Sequence, residues 1–454
     1  MKRLGEANLA TWYQRASRKP LVIRGARQVG KSTLVRNVAK NLGVPLWEIN
    51  LEKHANLNAV FATFDIAKIL QEISLSLRAT SVCVGPGILF LDEIQATPQA
   101  LAALRYFYEE RPELAVIATG SLLEFTLSEA GFSMPVGRIE YGWLGPMTFS
   151  EYLEAQGDGS LILILNDFQP NMSIPLMAHE RLNQRLREFL YVGGMPEAVA
   201  RFIETGDAMQ AVEVHHSILE TYQEDFSKYA RGADLEKIRR VFALLPANIG
   251  QKIRFNRFHP DWKSKDIRRS LELLTRAGIA IQVTHCDGSG VPLAAGEDPT
   301  VAKLFHLDVG LAGSLLGTGM IPFEEFRAGR FINEGPMAEQ FVAQHLWNSG
   351  WRTQHPSLHY WLRGGQNHNA EVDFLVQNEG DVLPIEVKSG ASGSLRSLHQ
   401  FMAKGNAHTA LRFDLNTPSD QDLQIPLMTA NGLSEVRFHL CNRPLYMAGI
   451  LKFK

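Results

Sequence analysis

Cysteine is scarce: Cys83, Cys286 and Cys441 are the only three in 454 residues, far apart and without a CxxC pair. That excludes a disulfide framework and a cysteine-rich zinc module, and suits a reducing compartment. No apolar run approaches the ~18–20 residues that a bilayer-spanning helix needs. Nothing apolar follows the opening Met-Lys-Arg as a signal peptide would require. A cytoplasmic protein without a membrane partner is expected. Charge of one sign is also missing: 46 basic residues against 48 acidic leave a formal net charge of −2. The whole surface therefore cannot act as a polyanion trap, and any nucleic-acid site must be a local patch. Glycine and proline, at 37 and 21 residues, are too few for a collagen-like or low-complexity chain. What is present, 45% hydrophobic and 21% charged residues, describes a globular chain long enough for several cores.

The first chemistry lies in Leu21-Val22-Ile23-Arg24-Gly25-Ala26-Arg27-Gln28-Val29-Gly30-Lys31-Ser32-Thr33. Gly25, Gly30, Lys31 and Ser32 satisfy GxxxxGK[ST], and the context agrees with it. Leu21 to Ile23 read as a buried strand. After Lys31, Leu34, Val38 and Leu42 recur every four positions as a helix does, and Gly43 stops it. A strand, a glycine turn and a helix N-terminus make an anion site, because successive backbone N–H groups and the helix dipole face the phosphates. Lys31 would reach the β- and γ-phosphates of ATP, and Ser32 would help hold Mg²⁺. Ile88 to Leu91 form a second continuous apolar run, as a parallel strand covered on both faces should, ending in Asp92-Glu93. Asp92 would sit near Mg²⁺, and Glu93 would orient and deprotonate water. A third strand, Leu114 to Ala118, ends in Thr119-Gly120-Ser121, where a hydroxyl would sense the γ-phosphate or Ser121 would cap a helix.

GARQVGKSTL, FLDEIQ, ATGS and Gly137-Arg138, in that order, resemble the prokaryotic AAA-type ATPases that carry a nuclease-like C-terminal domain. The likeness continues through Tyr191–Pro196, Lys303–Gly310 and Glu386-Val387-Lys388. It implies an α/β protein: a P-loop core over 1–160, a helical lid over 161–235, a winged-helix-like segment over 236–325 and a restriction-endonuclease-like domain over 326–454. It also implies a homo-oligomer, with Arg138 placed as an arginine finger for a neighbouring subunit. Gly194-Met195-Pro196 resembles a lid element whose proline contacts adenine; a simple turn is the other reading.

Between 231 and 270 the chain is locally basic, with eleven Lys and Arg against four acids. Ser264 is placed to cap a helix with Ile267, Leu271 and Leu274 inward; Gly278 ends it, and a strand follows. Arg254, Arg257, Lys265, Arg268 and Arg269 would then share a face that either contacts DNA phosphates or is only solvated.

Further on, Glu371–Gln377 and Val382–Lys388 alternate, flanking Asn378-Glu379-Gly380-Asp381. Val372, Phe374 and Val376 are expected on one face with Leu383, Ile385 and Val387. A four-residue hairpin loop would pair Gln377 with Val382, Asp373 with Glu386 and Glu371 with Lys388. Facing carboxylates are unfavourable without a cation or a shared proton, and Mg²⁺ among hard oxygens would supply the reason for the pattern. It is the D…ExK arrangement of PD-(D/E)xK nucleases, with Asp373 and Glu386 on metal and Lys388 activating water. The family likeness adds Glu339 from an upstream helix. His345, His355, His359 and His368 have neither zinc-cage nor HExxH spacing. Two functions follow as expectations. One is an ATPase acting on duplex or branched DNA, with or without cleavage. The other is a nucleotide-gated oligomeric switch whose C-terminal domain only binds.

Overall fold

A computed structural model describes residues 1–78, 85–120, 123, 137–170, 172–228, 230–329, 334–354, 356–364, 370–378, 380–429 and 432–450. Its N-terminal part is a five-stranded sheet in the order β2-β3-β4-β1-β5, with every pairing parallel. The strands are β1 (Leu21–Arg24), β2 (Leu46–Asn50), β3 (Ile88–Asp92), β4 (Ala115–Thr119) and β5 (Glu140–Trp143). Every residue of β3 and β4 is buried, which is why both read as unbroken apolar runs. Helices α1 (Gly5–Gln14), α2 (Lys31–Leu42), α3 (Leu57–Phe61), α4 (Ile66–Ser76) and α5 (Pro98–Glu110) complete this region. The strands alternate between two cores. Ile23, Phe90 and Ile117 pack with Leu34 and Val38 of α2, whereas Leu89, Leu91 and Val116 pack with Ile69, Leu101 and Leu104.

Helices then dominate: α6 (Phe149–Ala155), α7 (Gly159–Asn166), α8 (Leu176–Val192), α9 (Pro196–Thr205), α10 (Ala208–Asp225), α11 (Ala233–Leu244) and α12 (Ser264–Arg276). Leu182, Leu186 and Leu190 of α8 are buried, as their i, i+4, i+8 spacing predicts. Helix α12 starts at Ser264 with Lys263 as N-cap and no side-chain cap, so Ser264 does not cap it as expected. Residues Ile267, Leu271 and Leu274 are its buried stripe.

After α12 come β6 (Ala280–Cys286), β7 (Glu297–His306), α13 (Val309–Leu315), α14 (Phe323–Arg327) and α15 (Glu334–Trp347). The chain ends with β8 (Leu358–Leu362), β9 (Glu371–Asn378), β10 (Asp381–Val387), α16 (Arg396–Met402), β11 (Thr409–Asp414), β12 (Ser419–Thr429) and β13 (Gly432–Pro444). These strands form a single mixed sheet in the order β12-β13-β11-β10-β9-β8-β6-β7. Because β6 pairs parallel with β8, the sheet continues across the boundary expected at 325/326. Helix α15 packs on β6, β7, β8 and β10, and α16 on β9, β10 and β13.

Strands β9 and β10 adopt the pairing expected from alternation, Gln377 with Val382 and Phe374 with Ile385. Asn378 also pairs with Asp381, so the connection is tighter than four residues. The expected shared face does not hold throughout. The β8–β9 register shifts between His359 and Trp361. Val372 packs with Leu398 and Phe401, whereas Phe374 packs in the core of Phe305 and Phe341. An irregularity of this kind reverses which way a residue points, which strict alternation cannot foresee.

Candidate functional site

Loop residues 25–30 leave the C-terminal end of β1 and enter α2 at Lys31. At Gly25 (φ +141°) a Cβ would lie 2.0 Å from the Leu144 carbonyl oxygen, so only glycine fits. Ala26 and Val29 bury their side chains while Gln28 and Thr33 are exposed. Support comes from residues the sequence did not single out. The buried Arg3 guanidinium donates to the Val29 carbonyl at 2.7 Å and to Gly145 at 2.8 Å, and pairs with Glu151 at 3.0 Å. From α10, Asp225 pairs with Arg27 at 3.0 Å and the Tyr222 hydroxyl donates to the Arg27 carbonyl at 2.9 Å. Pro196, the first residue of α9, brings its Cγ within 3.5 Å of where a Cβ on Gly30 would stand. The Gly194-Met195-Pro196 turn thus lies against the loop.

Lys31 Nζ donates to the carbonyls of Gly25 and Ala26 at 2.9 and 2.8 Å. Burial lowers its pKa to about 8, against the opposing pull of Glu93 and Asp92. Ser32 Oγ donates to Asp92 Oδ2 at 3.0 Å, and Thr119 donates to the other carboxylate oxygen. Glu93 sits just past β3 in a left-handed conformation (φ +53°), with Gln95 Nε2 on its Oε2 at 2.5 Å. Three strand ends and the start of α2 therefore gather Lys31, Ser32, Asp92, Glu93 and Thr119. Ser121 lies outside the described residues, as do Cys83, His355 and His368. Arg138 is elsewhere: half exposed, paired with Glu109 of α5 at 3.0 Å, and just ahead of β5. Since Leu21 is level with Glu140, Arg138 sits at the N-terminal end of the strands, opposite the end that carries the phosphate loop. A four-residue strand makes that separation about 13 Å along β1.

A second polar cluster, partly buried, lies between the mixed sheet and α15. It joins Glu339 of α15, Glu371 and Asp373 of β9, Glu386 of β10 and Lys303 of β7, a residue that the sequence marks only through the family likeness. Lys303 is fully buried. Its Nζ contacts Glu371 and lies 3.8 Å from both Glu339 Oε2 and Asp373 Oδ1. Burial alone would lower the Lys303 pKa; Glu339, Asp373 and Glu371 outweigh it and hold the ammonium charged. Burial, then the Asp373 charge, pushes Glu339 up to about 8 and Glu386 up to about 7. Asp373 Oδ2 accepts from the Val387 N–H at 2.8 Å, and Lys388 Nζ pairs with Glu386 Oε1 at 2.5 Å. Glu371 pairs with Lys303 rather than Lys388. Lys388 lies past the end of β10, and its N–H goes to the Phe413 carbonyl.

Glu339, Asp373 and Glu386 do not close on one point. Among the described residues, the single trio of metal-capable groups within 4.8 Å of one another is Asp420, His439 and Cys441. That trio is a poor cation site: Arg443 occupies Asp420 at 2.8 Å, and burial pushes the Cys441 thiol up to about 11.

Arg254, Arg257, Lys265, Arg268 and Arg269 are all exposed, on α12 and on the short turn packed against it. Arg268 lies 5.5 Å over the Phe255 ring, and Arg269 is 3.5 Å from Asp234. Lys237, counted in the basic excess, is tied to Asp266 at 2.9 Å.

Asp308 links the two regions. Fully buried, it accepts from Gly194 N at 2.6 Å, from Gly310 N and Leu311 N at the start of α13, and from Gln344 of α15 at 3.2 Å. Burial pushes its carboxyl up to about 6. Gln340, beside Glu339, exchanges two hydrogen bonds with His306. The turn against the phosphate loop is thus joined by side-chain bonds to the helix that carries Glu339. An Asp ahead of a helix was a legible capping signal; its bond to residue 194 was not.

Residues 17–153 match the family model described as AAA domain. Residues 183–320 and 334–426 match two domains of unknown function, DUF8612 and DUF4143. No curated protein matches the chain. Among solved structures, it is similar to the Walker-type ATPase of Pyrococcus abyssi, at 16% identity and a TM-score of 0.43. That match covers 68% of this chain and 94% of the other. It is also similar to the Aeropyrum pernix ORC2 protein, at 13% identity and a TM-score of 0.39, over 72% of this chain and 95% of the other. Among the described residues, no helix is long and apolar enough to cross a membrane. The N-terminal region, with its parallel sheet and phosphate loop, is a P-loop domain of the AAA type, and nucleotide binding follows from it.

Proposed function

We propose that this protein hydrolyses ATP and uses the cycle to act on DNA. The observation that carries the hydrolytic part is the Ser32–Asp92–Thr119 hydrogen-bonded line beside Lys31, with Glu93 next to it. Ser32 and Asp92 offer oxygen ligands that fit Mg²⁺, which would neutralise phosphate charge when bound. Lys31 would leave the loop carbonyls for the β- and γ-phosphates. Glu93, freed from Gln95, would orient the attacking water and take its proton. Arg138, being remote from its own loop, would serve a neighbour in a homo-oligomer.

DNA as the target is supported by the exposed basic face of α12, in what we read as a winged-helix-like unit of α11, α12, β6 and β7. The C-terminal sheet between α15 and α16 is read as restriction-endonuclease-like. Asp373 and Glu386 would hold a divalent ion there, with Lys388 beside them. The buried Glu386 Oε2 has no hydrogen-bond partner among the described residues, which fits an oxygen that could serve as a ligand to a cation. One observation favours a second reading of that domain: Glu339 does not converge with the other two acids. In that reading the domain binds DNA, or a protein partner in a nucleotide-gated switch, without cutting.

The test is the ATPase rate in Mg²⁺, alone and with duplex, single-stranded and branched DNA, each DNA then checked for breaks. Stimulation lost in Lys31→Ala supports the DNA-acting reading. Cutting lost in Asp373→Ala supports the nuclease, and stimulation without cutting the binding module. An ATPase rate indifferent to every DNA would overturn the DNA assignment.

A further inference from the structure

Carboxylates from a helix and a strand, Glu339, Glu371 and Asp373, converge on the ammonium of Lys303. That is how ligands surround a cation, although at 3.8 Å two of them stand well beyond the ~2.0–2.6 Å of metal–oxygen bonds. The lysine has no exposed surface and reaches the cluster from β7, with its Nζ 5.0 Å over the Tyr360 ring. Its place is over-determined: Lys303 forms an antiparallel β-bridge with Lys252, and the neighbouring Ala302 carbonyl accepts from Ile253 N at 2.9 Å. The backbone of Gly250 passes so close that a Cβ there would meet Glu339 Oε2 at 2.5 Å. Among the described residues, four carboxylates face two contacting ammonium groups, Lys303 and Lys388, and the buried Glu339 Oε2 and Glu386 Oε2 have no hydrogen-bond partner.

We propose that Lys303 is a resident cation of this cluster, filling with a side chain the position between Glu339, Glu371 and Asp373 that would otherwise take a metal ion. The cluster then has room for one divalent ion at most, at the Asp373–Glu386 end. Glu339 and Glu371 serve Lys303 instead of metal. The ion at the Asp373–Glu386 end rests on the proposed metal site; the role of Lys303 does not.

The experiment counts Mn²⁺ bound to the nucleotide-free full chain by electron paramagnetic resonance. It compares wild type, Asp373→Ala, Lys303→Met and Lys303→Met/Glu339→Gln. Lys303→Met should bind one more Mn²⁺ than wild type, and adding Glu339→Gln should weaken that extra ion at least about tenfold, or 1.4 kcal/mol. No extra ion in Lys303→Met overturns the proposal. If wild type binds an ion that Asp373→Ala loses while Lys303→Met adds nothing, the metal site stands and the Lys303 assignment falls. If wild type binds none at this cluster and Lys303→Met gains one, the assignment holds and the wild-type metal site fails. Should Lys303→Met not fold, Lys303→Met/Glu371→Gln removes one charge of each sign. Mn²⁺ should raise its melting temperature more than that of wild type, and an equal shift would again overturn the proposal.

Discussion

Two buried lysines, each with carboxylates nearby, end with their pKa shifted in opposite directions. Lys31 is lowered to about 8 because burial outweighs the pull of Glu93 and Asp92; its ammonium rests on two neutral carbonyls. Lys303 is raised because three carboxylates surround it. Desolvation penalises both charges; the number and nearness of opposite charges decides the outcome. The phosphate-loop lysine is held by neutral carbonyls, which a phosphate can replace. Lys303 is locked in place. One arrangement suits a changing ligand, the other a fixed architecture.

The largest effects should come from breaking the first arrangement. Glu93→Gln is expected to slow ATP turnover by about 10²–10⁴-fold, the usual range for removal of a general base, while ATP still binds. Equilibrium binding of a fluorescent ATP analogue beside single-turnover rates separates the two. Arg138→Ala should cost about 10³-fold or more in turnover, as removal of an arginine finger does. Mixing it with Lys31→Ala should restore part of the rate, because each variant supplies what the other lacks. No recovery on mixing would remove Arg138 from the neighbour's site.

The second arrangement should show itself in stability more than in turnover. Lys303→Ala strands three carboxylates and should cost about 3–5 kcal/mol in urea unfolding, as breaking a buried pair does. Lys31→Ala, which frees only two carbonyls, should cost much less. Similar destabilisation of the two variants would erase the contrast.

Much of the first site was legible because its parts are local. Gly25 to Ser32 carry loop, helix start and cation in one stretch, and the β3 run leads straight to Asp92. Even there, Arg3, Glu151, Tyr222 and Asp225 were invisible, since nothing in a sequence places a residue 195 positions away against a loop carbonyl. The second site draws on α15, β7, β9 and β10. The β9–β10 register followed from alternation as far as Phe374 opposite Ile385; the expected Asp373–Glu386 pair lies beyond the paired residues, and the Asp373 carboxylate accepts from the Val387 N–H. Lys303 did not follow from alternation, because its strand reaches the cluster through β6, whose parallel pairing with β8 no local pattern announces. The expected match of Glu371 with Lys388 failed because β10 ends at Val387 and Lys303 already contacts Glu371.

The lysines and their acids should also give the stability curve two opposing slopes. Glu339 and Glu386, raised to about 8 and 7 from 4.5, bind more protons folded than unfolded between about pH 4.5 and 8. They therefore make stability fall as pH rises through that window. Lys31, lowered from 10.5 to about 8, binds fewer protons when folded between about pH 8 and 10.5, so it makes stability rise there. Urea midpoints across pH should be flatter below 8 in Glu339→Gln and flatter above 8 in Lys31→Met.

The smallest expected effect concerns the basic face. Removing one side chain that neutralises a phosphate should shallow the slope of log affinity against log salt by about 0.9. If Arg268 and Lys265 contact phosphates, Arg268→Ala and Lys265→Ala should do this for every DNA sequence alike, because phosphate contacts carry no sequence information. Arg269→Ala should do less, since Asp234 already engages that guanidinium and it brings less free charge to DNA. Equal slopes for Arg268→Ala and Arg269→Ala would mean that Asp234 releases its partner on binding. An unchanged slope in both would return this face to solvent.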